Sequence, residues 1–400
     1  MLKKSVVLGL SGGVDSSVAA YLLKEQGYDV QALFMINWKN SSVTLQGQCL
    51  WEEDVIVAEL VAQKLGIKLH VVDSSEKYKE LVVEYMFGEY QAGRTPNPDV
   101  LCNREIKFNV FNHYAQQFDA QYVATGHYAI TQFANDDTNE IKLISGKDPN
   151  KDQSYFLCQL NQQQLKNVIF PIGNILKTDV RKIAEQQNLA SAYKKDSQGI
   201  CFIGKVDLPT FLKQKIMSKN GNIVEISKDV EFLKGSIFCK KPDTYTTEEL
   251  VFISEPYNLQ RFSKRVLGQH QGVYYYTIGQ RKGLDIGGTS EPMYIVGTDI
   301  ERNEIYVGEG QSHWALSRKA LFIKYIDIHW IRPSLEMFVG EKRLYDVRIR
   351  YRQPLQKACL YRVEEGIFIV FEQMQRGITP GQFAAWYKDG ELLGSGVIQY

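Results

Sequence analysis

No apolar run in this chain approaches the ~18 residues that a membrane-spanning helix needs, which argues against a membrane partner. Net charge is nearly absent as well: 47 Lys and Arg face 46 Asp and Glu. A nucleic-acid partner would therefore have to be held by local basic patches and not by a global field. The six cysteines (49, 102, 158, 201, 239 and 359) form no C-x-x-C pair and no dense framework. That spacing argues against structural zinc and against a disulfide scaffold. There is no internal repeat and no low-complexity tract. Only Lys3-Lys4 and a short apolar run precede the first glycine loop, too little for a signal or transit peptide. The expected compartment is a reducing cytoplasm, where a useful cysteine does chemistry and the others fill cores.

What is present is a globular composition, 44% hydrophobic and 23% charged, over 400 residues. That length suggests two or three domains. The first 204 residues alternate strand-like and helix-like stretches. Strands are predicted over 6–10, 30–36, 68–72 and 122–125. A helix follows Glu52, with Val55, Ala58, Ala62 and Leu65 on its apolar stripe and Gly66 at its end. Strands separated by helices imply an α/β fold, with a parallel sheet and ligands at the carboxyl ends of its strands. After about residue 205 helical periodicity fades. Short apolar runs at 273–278, 293–298, 304–307, 322–330, 344–351, 366–371 and 383–387 suggest one or two small β-barrels. Residues 229–265 are charged and less patterned, and are read as a surface insertion.

The first strand leads into Ser11-Gly12-Gly13-Val14-Asp15-Ser16-Ser17, followed by the helix-like run 18–24. Two glycines let backbone N–H groups approach an anion, and the helix N-terminus adds partial positive charge. No G-x-x-x-x-G-K-[ST] is present, so the loop carries no phosphate-binding lysine of its own. Asp15 suits a Mg²⁺ partner better than a phosphate. An ordinary glycine-rich βα turn would look similar. The loop nevertheless resembles the pyrophosphate loops that cleave ATP between its α- and β-phosphates to adenylate a substrate.

Cys102 lies in Arg94-Thr95-Pro96-Asn97-Pro98-Asp99-Val100-Leu101-Cys102-Asn103-Arg104. Two prolines stiffen this loop. Arg94, Arg104 and Lys107 would favour a thiolate, and Asp99 could act as general acid or base if partly buried. Read alone, Cys102 is as easily a small buried hydrophobe. Cys201, in Asp196-Ser197-Gln198-Gly199-Ile200-Cys201-Phe202-Ile203-Gly204, sits in a second glycine-flanked loop. If the two meet, one can carry a sulfur and the other resolve it as a disulfide. Cysteines 49, 158, 239 and 359 are assigned to packing. Lys151-Asp152-Gln153-Ser154-Tyr155-Phe156 suits nucleic-acid contact, although a plain helix start would look the same. Val347-Arg348-Ile349-Arg350-Tyr351-Arg352 alternates strictly. As a strand it would present three arginines on one face, either a phosphate-backbone strip or a solvated barrel face.

Taken together, these segments resemble the tRNA-specific 2-thiouridylases, which replace oxygen by sulfur at C2 of the wobble uridine. The resemblance runs through S-G-G-V-D-S-S, R-T-P-N-P-D-V-L-C-N, G-H-Y, K-D-Q-S-Y-F and D-S-Q-G-I-C-F-I-G. It continues through H-Q-G-V-Y-Y-Y-T-I-G-Q-R-K-G-L (270–284), R-Y-R-Q and P-G-Q (380–382), leaving 229–265 as a departure. It implies an adenine-nucleotide α/β domain over 1–204, a small β hinge domain over 205–312 and a C-terminal β-barrel contacting tRNA over 313–400. An ATP site is implied at Gly9, Leu10, Ser11, Gly12, Gly13, Val14, Asp15 and Ser16, with Met35 and Gly126. Cys102 is implied as nucleophile, Cys201 as persulfide carrier, and Asn97, Pro98 and Asp99 as contacts to the target base. His127, Lys151, Asp152, Gln153, Arg350, Tyr351 and Gln382 are implied to contact tRNA. The resemblance also implies ATP and Mg²⁺, tRNAs for Lys, Glu and Gln, and a cysteine desulfurase or sulfur-relay protein as donor. A small-molecule ligase and a non-catalytic RNA-binding protein are the competing readings.

Overall fold

Val6 and Leu8 point to one side of the first strand, β1 (Ser5–Gly9), Val7 points to the other, and all three are buried. A strand dry on both faces needs helices on both, the condition a parallel sheet meets. The computed structural model describes residues 3–39, 50–196, 201, 208–228 and 236–399. Within them β1 is followed by β2 (Asp29–Ile36), β3 (Lys68–Asp73), β4 (Tyr122–Ala124), β5 (Ala129–Phe133), β6 (Ile141–Ser145) and β7 (Val168–Ile169). Five of these strands form one parallel sheet in the order β3-β2-β1-β4-β7. The order reverses between β1 and β4, and α/β sheets bind ligands in the crevice at such a point. Helix α1 (Val14–Glu25) follows β1, and α2 (Leu50–Leu65) ends at Gly66, whose φ is +60°.

The hairpin β5–β6 leaves this sheet. Leu143 and Ile144 of β6 pair with β18 (Glu391–Val397) at the other end of the chain. Buried Arg332 fastens the hairpin by pairing with Glu140, Asp136 and, on β18, Glu391. The α/β segment and the C-terminal barrel thus share a continuous nine-stranded sheet. The rest of that sheet runs from β12 (Ser317–Lys324) through β13 (Ile328–Trp330), β14 (Lys342–Arg348), β15 (Gln356–Val363), β16 (Gly366–Arg376) and β17 (Phe383–Lys388). It curls until the Gln399 N–H reaches the Phe322 carbonyl of β12 at 3.0 Å. Between the two lie four strands, β8 (Gly221–Ile226), β9 (Ser263–His270), β10 (Met293–Asp299) and β11 (Glu304–Glu309).

Three local expectations differ from the structure. Residues 273–278 are not a strand but begin as a 3-10 turn (Val273–Tyr275). Tyr275 packs into the core beneath Cys102 and donates its hydroxyl to the Ile216 carbonyl at 2.7 Å, so burial outranks strand pairing. The strand expected over 344–351 stops at Arg348, where pairing with β17 ends and the Ile349 N–H bonds the Gln353 side chain at 2.9 Å. Cys239 is exposed, whereas Cys158 and Cys359 are buried as expected; Cys49 lies outside the described residues.

The 229–265 stretch, described from 236 onward, is packed and not a loose excursion. Helix Thr247–Ser254 opens with a capping box between Thr246 and Glu249. Its Leu250 and Ile253 join Phe238 and Tyr245 against Ala320, Tyr361, Phe368 and Val370 of the C-terminal sheet. Leu250→Ala should therefore cost about 2–5 kcal/mol of stability. Urea unfolding measures it, and a loss below about 1 kcal/mol would show that the helix is not part of the core.

Candidate active site

The chain leaves β1 at Gly9 and turns into α1 through Gly12, whose φ is +72°. A Cβ at Gly12 would lie 2.2 Å from the Asp54 carbonyl oxygen, so only glycine fits there. No side chain caps α1; the Ser16 and Ser17 hydroxyls donate instead to the Gly13 carbonyl at 3.1 and 2.8 Å. The helix N-terminus, left without a side-chain acceptor and carrying its dipole, suits an anion. Gly126, beyond β4, packs against the same turn: a Cβ there would sit 2.8 Å from the Ser16 nitrogen. Leu10 and Met35 are buried beside it, Leu10 tied to the Leu33 carbonyl of β2.

A lysine that the loop's own sequence lacks arrives from elsewhere. Lys177, the buried first residue of helix Lys177–Gln186, places Nζ 2.7 Å from Asp15 Oδ1 and 2.9 Å from Asp196 Oδ1. Tyr128 donates its hydroxyl to the same Asp15 oxygen at 2.7 Å. Asp15 is thus engaged with a cation and a phenol and not held open as a metal ligand. Among the described residues no group of three or more His, Cys, Asp or Glu could hold a metal ion. Asp196 also receives Lys151 at 2.7 Å. Burial opposes its charge, but the Lys151 and Lys177 ammonium groups win and hold its carboxyl at about 2. Nothing in K-T-D-V-R-K marked Lys177 beyond an ordinary helix start.

Cys102 and Cys201 meet. Asn97 caps the turn Pro98–Leu101, its Oδ1 accepting from the Val100 N–H at 3.3 Å, and Pro98 occupies the first turn. Cys102, 0% exposed, follows as the first residue of a π-helix, Cys102–Val110. Two contacts hold the Cys201 backbone. Asp99 Oδ1 accepts its N–H at 3.0 Å, and the Tyr78 hydroxyl donates to its carbonyl at 2.7 Å. The neighbours 197–200 and 202–204 lie outside the described residues. Both cysteines are free thiols, side chain hydrogen-bonded to side chain.

Their environments push the pair apart. Burial drives the Cys102 thiol well above the ordinary cysteine range. The hydrogen bond from Cys102 lowers Cys201 against its own burial, and the Lys107 charge adds to it. Burial also raises Asp99, which keeps a proton further up the pH scale than a solvated carboxylate. Of the three cations near Cys102 in sequence, Arg94 binds Glu89 and Arg104 binds Glu105 and Gln159. Lys107 is the one at the sulfurs: its charge favours both thiolates, but burial outweighs it at Cys102 and leaves Cys201 as the one brought down. His127 is buried behind it, Nδ1 2.7 Å from Thr125 Oγ1 and Nε2 3.5 Å from Lys107 Nζ. Burial, then the Lys107 charge, holds His127 well below the usual histidine range.

The C-terminal barrel braces this loop. Thr95 N–H donates to the Pro380 carbonyl at 2.9 Å, and Gln382 Nε2 donates to the Thr95 and Pro96 carbonyls at 2.8 and 3.0 Å. Gly381, at φ +87°, lets the two backbones touch: a Cβ would sit 2.9 Å from the Thr95 oxygen. Asp152 is buried, accepting from the Gly146 and Ser154 N–H groups and pairing with Arg348 at 3.1 Å. Gln153 Oε1 accepts the Tyr128 N–H at 3.1 Å. The three arginines form no strip. Arg348 turns inward over the Tyr387 ring, while Arg350 and Arg352 are exposed. Arg350 also reaches the Gly377 carbonyl and Thr379 hydroxyl, and Tyr351 packs on Phe156 at 4.3 Å between centroids.

Comparison with known proteins bears on this site. The family model described as tRNA methyl transferase HUP domain matches residues 4–205. The tRNA methyl transferase PRC-barrel domain matches 253–309, and the aminomethyltransferase beta-barrel domain 321–398. A tRNA-specific 2-thiouridylase MnmA of Christiangramia forsetii is 54% identical over 99% of this chain and 100% of its own length. That of Flavobacterium johnsoniae is 52% identical with the same coverage. That of Halalkalibacterium halodurans is 43% identical over 99% of this chain and 94% of its own. Matched over 99% of its length at such identity, the chain belongs to the family of tRNA-specific 2-thiouridylases.

Proposed function

We propose that this protein transfers sulfur from a Cys201 persulfide to C2 of uridine 34 in tRNA, at the expense of ATP, giving 2-thiouridine. The observation that carries the reading is the contact between the Cys102 and Cys201 side chains, brought together by Asp99 from loops remote in sequence. The C2 oxygen of uracil is a very poor leaving group. Attack of that oxygen on the α-phosphate of ATP expels pyrophosphate and leaves AMP on C2. The uncapped N-terminus of α1, the Gly12–Gly13 turn and Lys177 are placed to grip the phosphates. Asp15, engaged by Lys177 and Tyr128, does not fit as a Mg²⁺ ligand, and the charge on the departing pyrophosphate is met from this chain by Lys177 and the helix N-terminus.

Sulfur delivery then follows one of two routes with the same end. The outer sulfur of the Cys201 persulfide attacks C2 and displaces AMP, and Cys102 then attacks Cys201 Sγ, freeing the thiouridine sulfur. Alternatively Cys102 attacks Cys201 Sγ first, and the released hydrosulfide displaces AMP. Each leaves a Cys102–Cys201 disulfide, which a thiol reductant must reduce. Asp99, raised by burial, suits it to receive the Cys102 proton. The base must leave its stack to enter this pocket. Asn97, Pro98 and Asp99 would meet it, and Lys151, Arg350 and Tyr351 would contact the tRNA. Asp152, Gln153, His127 and Gln382, all hydrogen-bonded within the chain, would support those contacts. Lys, Glu and Gln tRNAs are the expected substrates, with a cysteine desulfurase or relay protein loading Cys201.

The test is one reconstitution with purified protein, ATP, Mg²⁺, a cysteine desulfurase with cysteine as persulfide donor, a thiol reductant and unmodified lysine tRNA, read by nucleoside mass spectrometry. ATP-dependent 2-thiouridine is expected. Pyrophosphate release that needs no tRNA, with no thiolated product, would point to a small-molecule ligase instead. tRNA binding with no turnover at all would leave an RNA-binding protein.

A further inference from the structure

Five residues along an α-helix turn the chain about 140° past a full circle, so residues i and i+5 face apart. Cys102 and Lys107 are so spaced, yet the Lys107 ammonium hydrogen-bonds Cys201 and its charge also reaches Cys102. The reason is the π-helix Cys102–Val110, in which i→i+5 hydrogen bonding, seen from Phe111 N–H to Ile106 O, stacks every fifth residue. Such widened turns cluster at functional sites. Here the widening turns a lysine that would face away from Cys102 towards the cysteine pair.

The donors around Lys107 settle what it does. An ammonium has only protons to give, so His127 Nε2, 3.5 Å away, can only accept, and the ring proton sits on Nδ1 towards Thr125. His127 is thereby fixed as a neutral ring that positions the ammonium without competing as a cation. The other titratable groups facing the pair are Asp99 and Tyr78. Asp99, when ionised, opposes an anion at Cys201, and Tyr78 donates to the Cys201 carbonyl. Burial disfavours the Lys107 charge, but Cys201, Cys102 and Asp99 more than offset it and raise the lysine.

We propose that Lys107 is a catalytic residue for loading: its ammonium holds Cys201 Sγ as the thiolate that takes sulfur from the donor. In that step the Cys201 thiolate attacks the outer sulfur of a protein persulfide. The new Cys201 S–S bond forms, the donor's S–S bond breaks, and the donor leaves as its thiolate. The proposal rests on Cys201 as the sulfur carrier, but its test does not need turnover.

Alkylation of Cys201 by iodoacetamide is followed against pH in the full-length protein, by mass spectrometry of the Cys201 peptide. In the unsubstituted protein the midpoint should fall below the ~8.5 of an ordinary cysteine. Lys107→Met should move it up by at least about one pH unit, cutting labelling at pH 7 about tenfold. Lys107→Arg should keep the midpoint near its original value. An unsubstituted midpoint at or above ~8.5 overturns the proposal without any variant. So does an unmoved midpoint in Lys107→Met, or a shift in Lys107→Arg as large as in Lys107→Met. If Cys201→Ser still thiolates tRNA, the carrier reading falls while the titration stands. If Cys201→Ser is inactive and Lys107→Met titrates unchanged, only the role of Lys107 falls.

Discussion

Cys201→Ser and Cys102→Ser should each cut 2-thiouridine formation by at least about 10³-fold, the scale on which loss of a nucleophile is felt. ATP binding should be retained in both, because the cysteines pack in one apolar cluster and Leu10 and Val14 of the glycine loop in another. The two variants should stop at different points. Without Cys201 there is nothing to load, and tRNA emerges unchanged. Without Cys102 the carrier still loads, but nothing attacks its inner sulfur. Direct attack by the persulfide would then trap a Cys201–tRNA disulfide, visible as a reducible adduct on a gel. Prior hydrosulfide release would leave a persulfide on Cys201 and no adduct. Serine preserves volume at the fully buried Cys102, so a packing defect will not imitate the result. Thiolated product from either variant would sink the two-cysteine scheme.

Lys177→Met should raise the dissociation constant for ATP about ten- to hundredfold, the value of one charge-assisted hydrogen bond to phosphate. Its ammonium stands at the mouth of the glycine loop, on Asp15, where no other described lysine is paired. The same change removes an ion pair from Asp196, whose carboxyl is held at about 2. A depressed carboxylate adds stability that is fully present above its ordinary range near ~3.9 and is lost as pH falls towards its folded value. The variant should therefore be less stable at pH 7 and lose less on acidification from about pH 4 to about pH 2. Calorimetric ATP titration and melting at several pH values read the two effects separately. Unchanged ATP affinity with a lowered melting temperature would make Lys177 a structural ion-pair member and nothing more.

Much of the α/β sheet was legible in advance. β1 and β2, buried on both faces, are nearly continuous apolar runs, and together with the more exposed β3 and β4 they fall within one or two residues of the runs at 6–10, 30–36, 68–72 and 122–125. The end of α2 was legible because Gly66 adopts a φ that a side chain resists. Residues 273–278 misled because tyrosine and valine favour strands, yet nothing local says that Tyr275 will be drawn into a core formed by other segments. The arginine alternation at 347–352 misled likewise. Pattern shows which residues share a face, but not where a neighbouring strand stops pairing.

The chemistry-bearing loops belong to the sequence alone. Gly12 and Gly13, Pro96 and Pro98, and the two cysteines are local demands of backbone conformation and reactivity, so their residue types are written where they act. Which groups they face is different. That Lys177 meets Asp15, that P-G-Q braces the Cys102 loop, that β6 pairs with β18, and that Lys107 serves Cys201 were decided only by the tertiary structure. Such contacts join segments tens to hundreds of residues apart, or depend on one widened helical turn. Their strength comes from burial and mutual orientation, quantities that a linear chain does not possess until it folds.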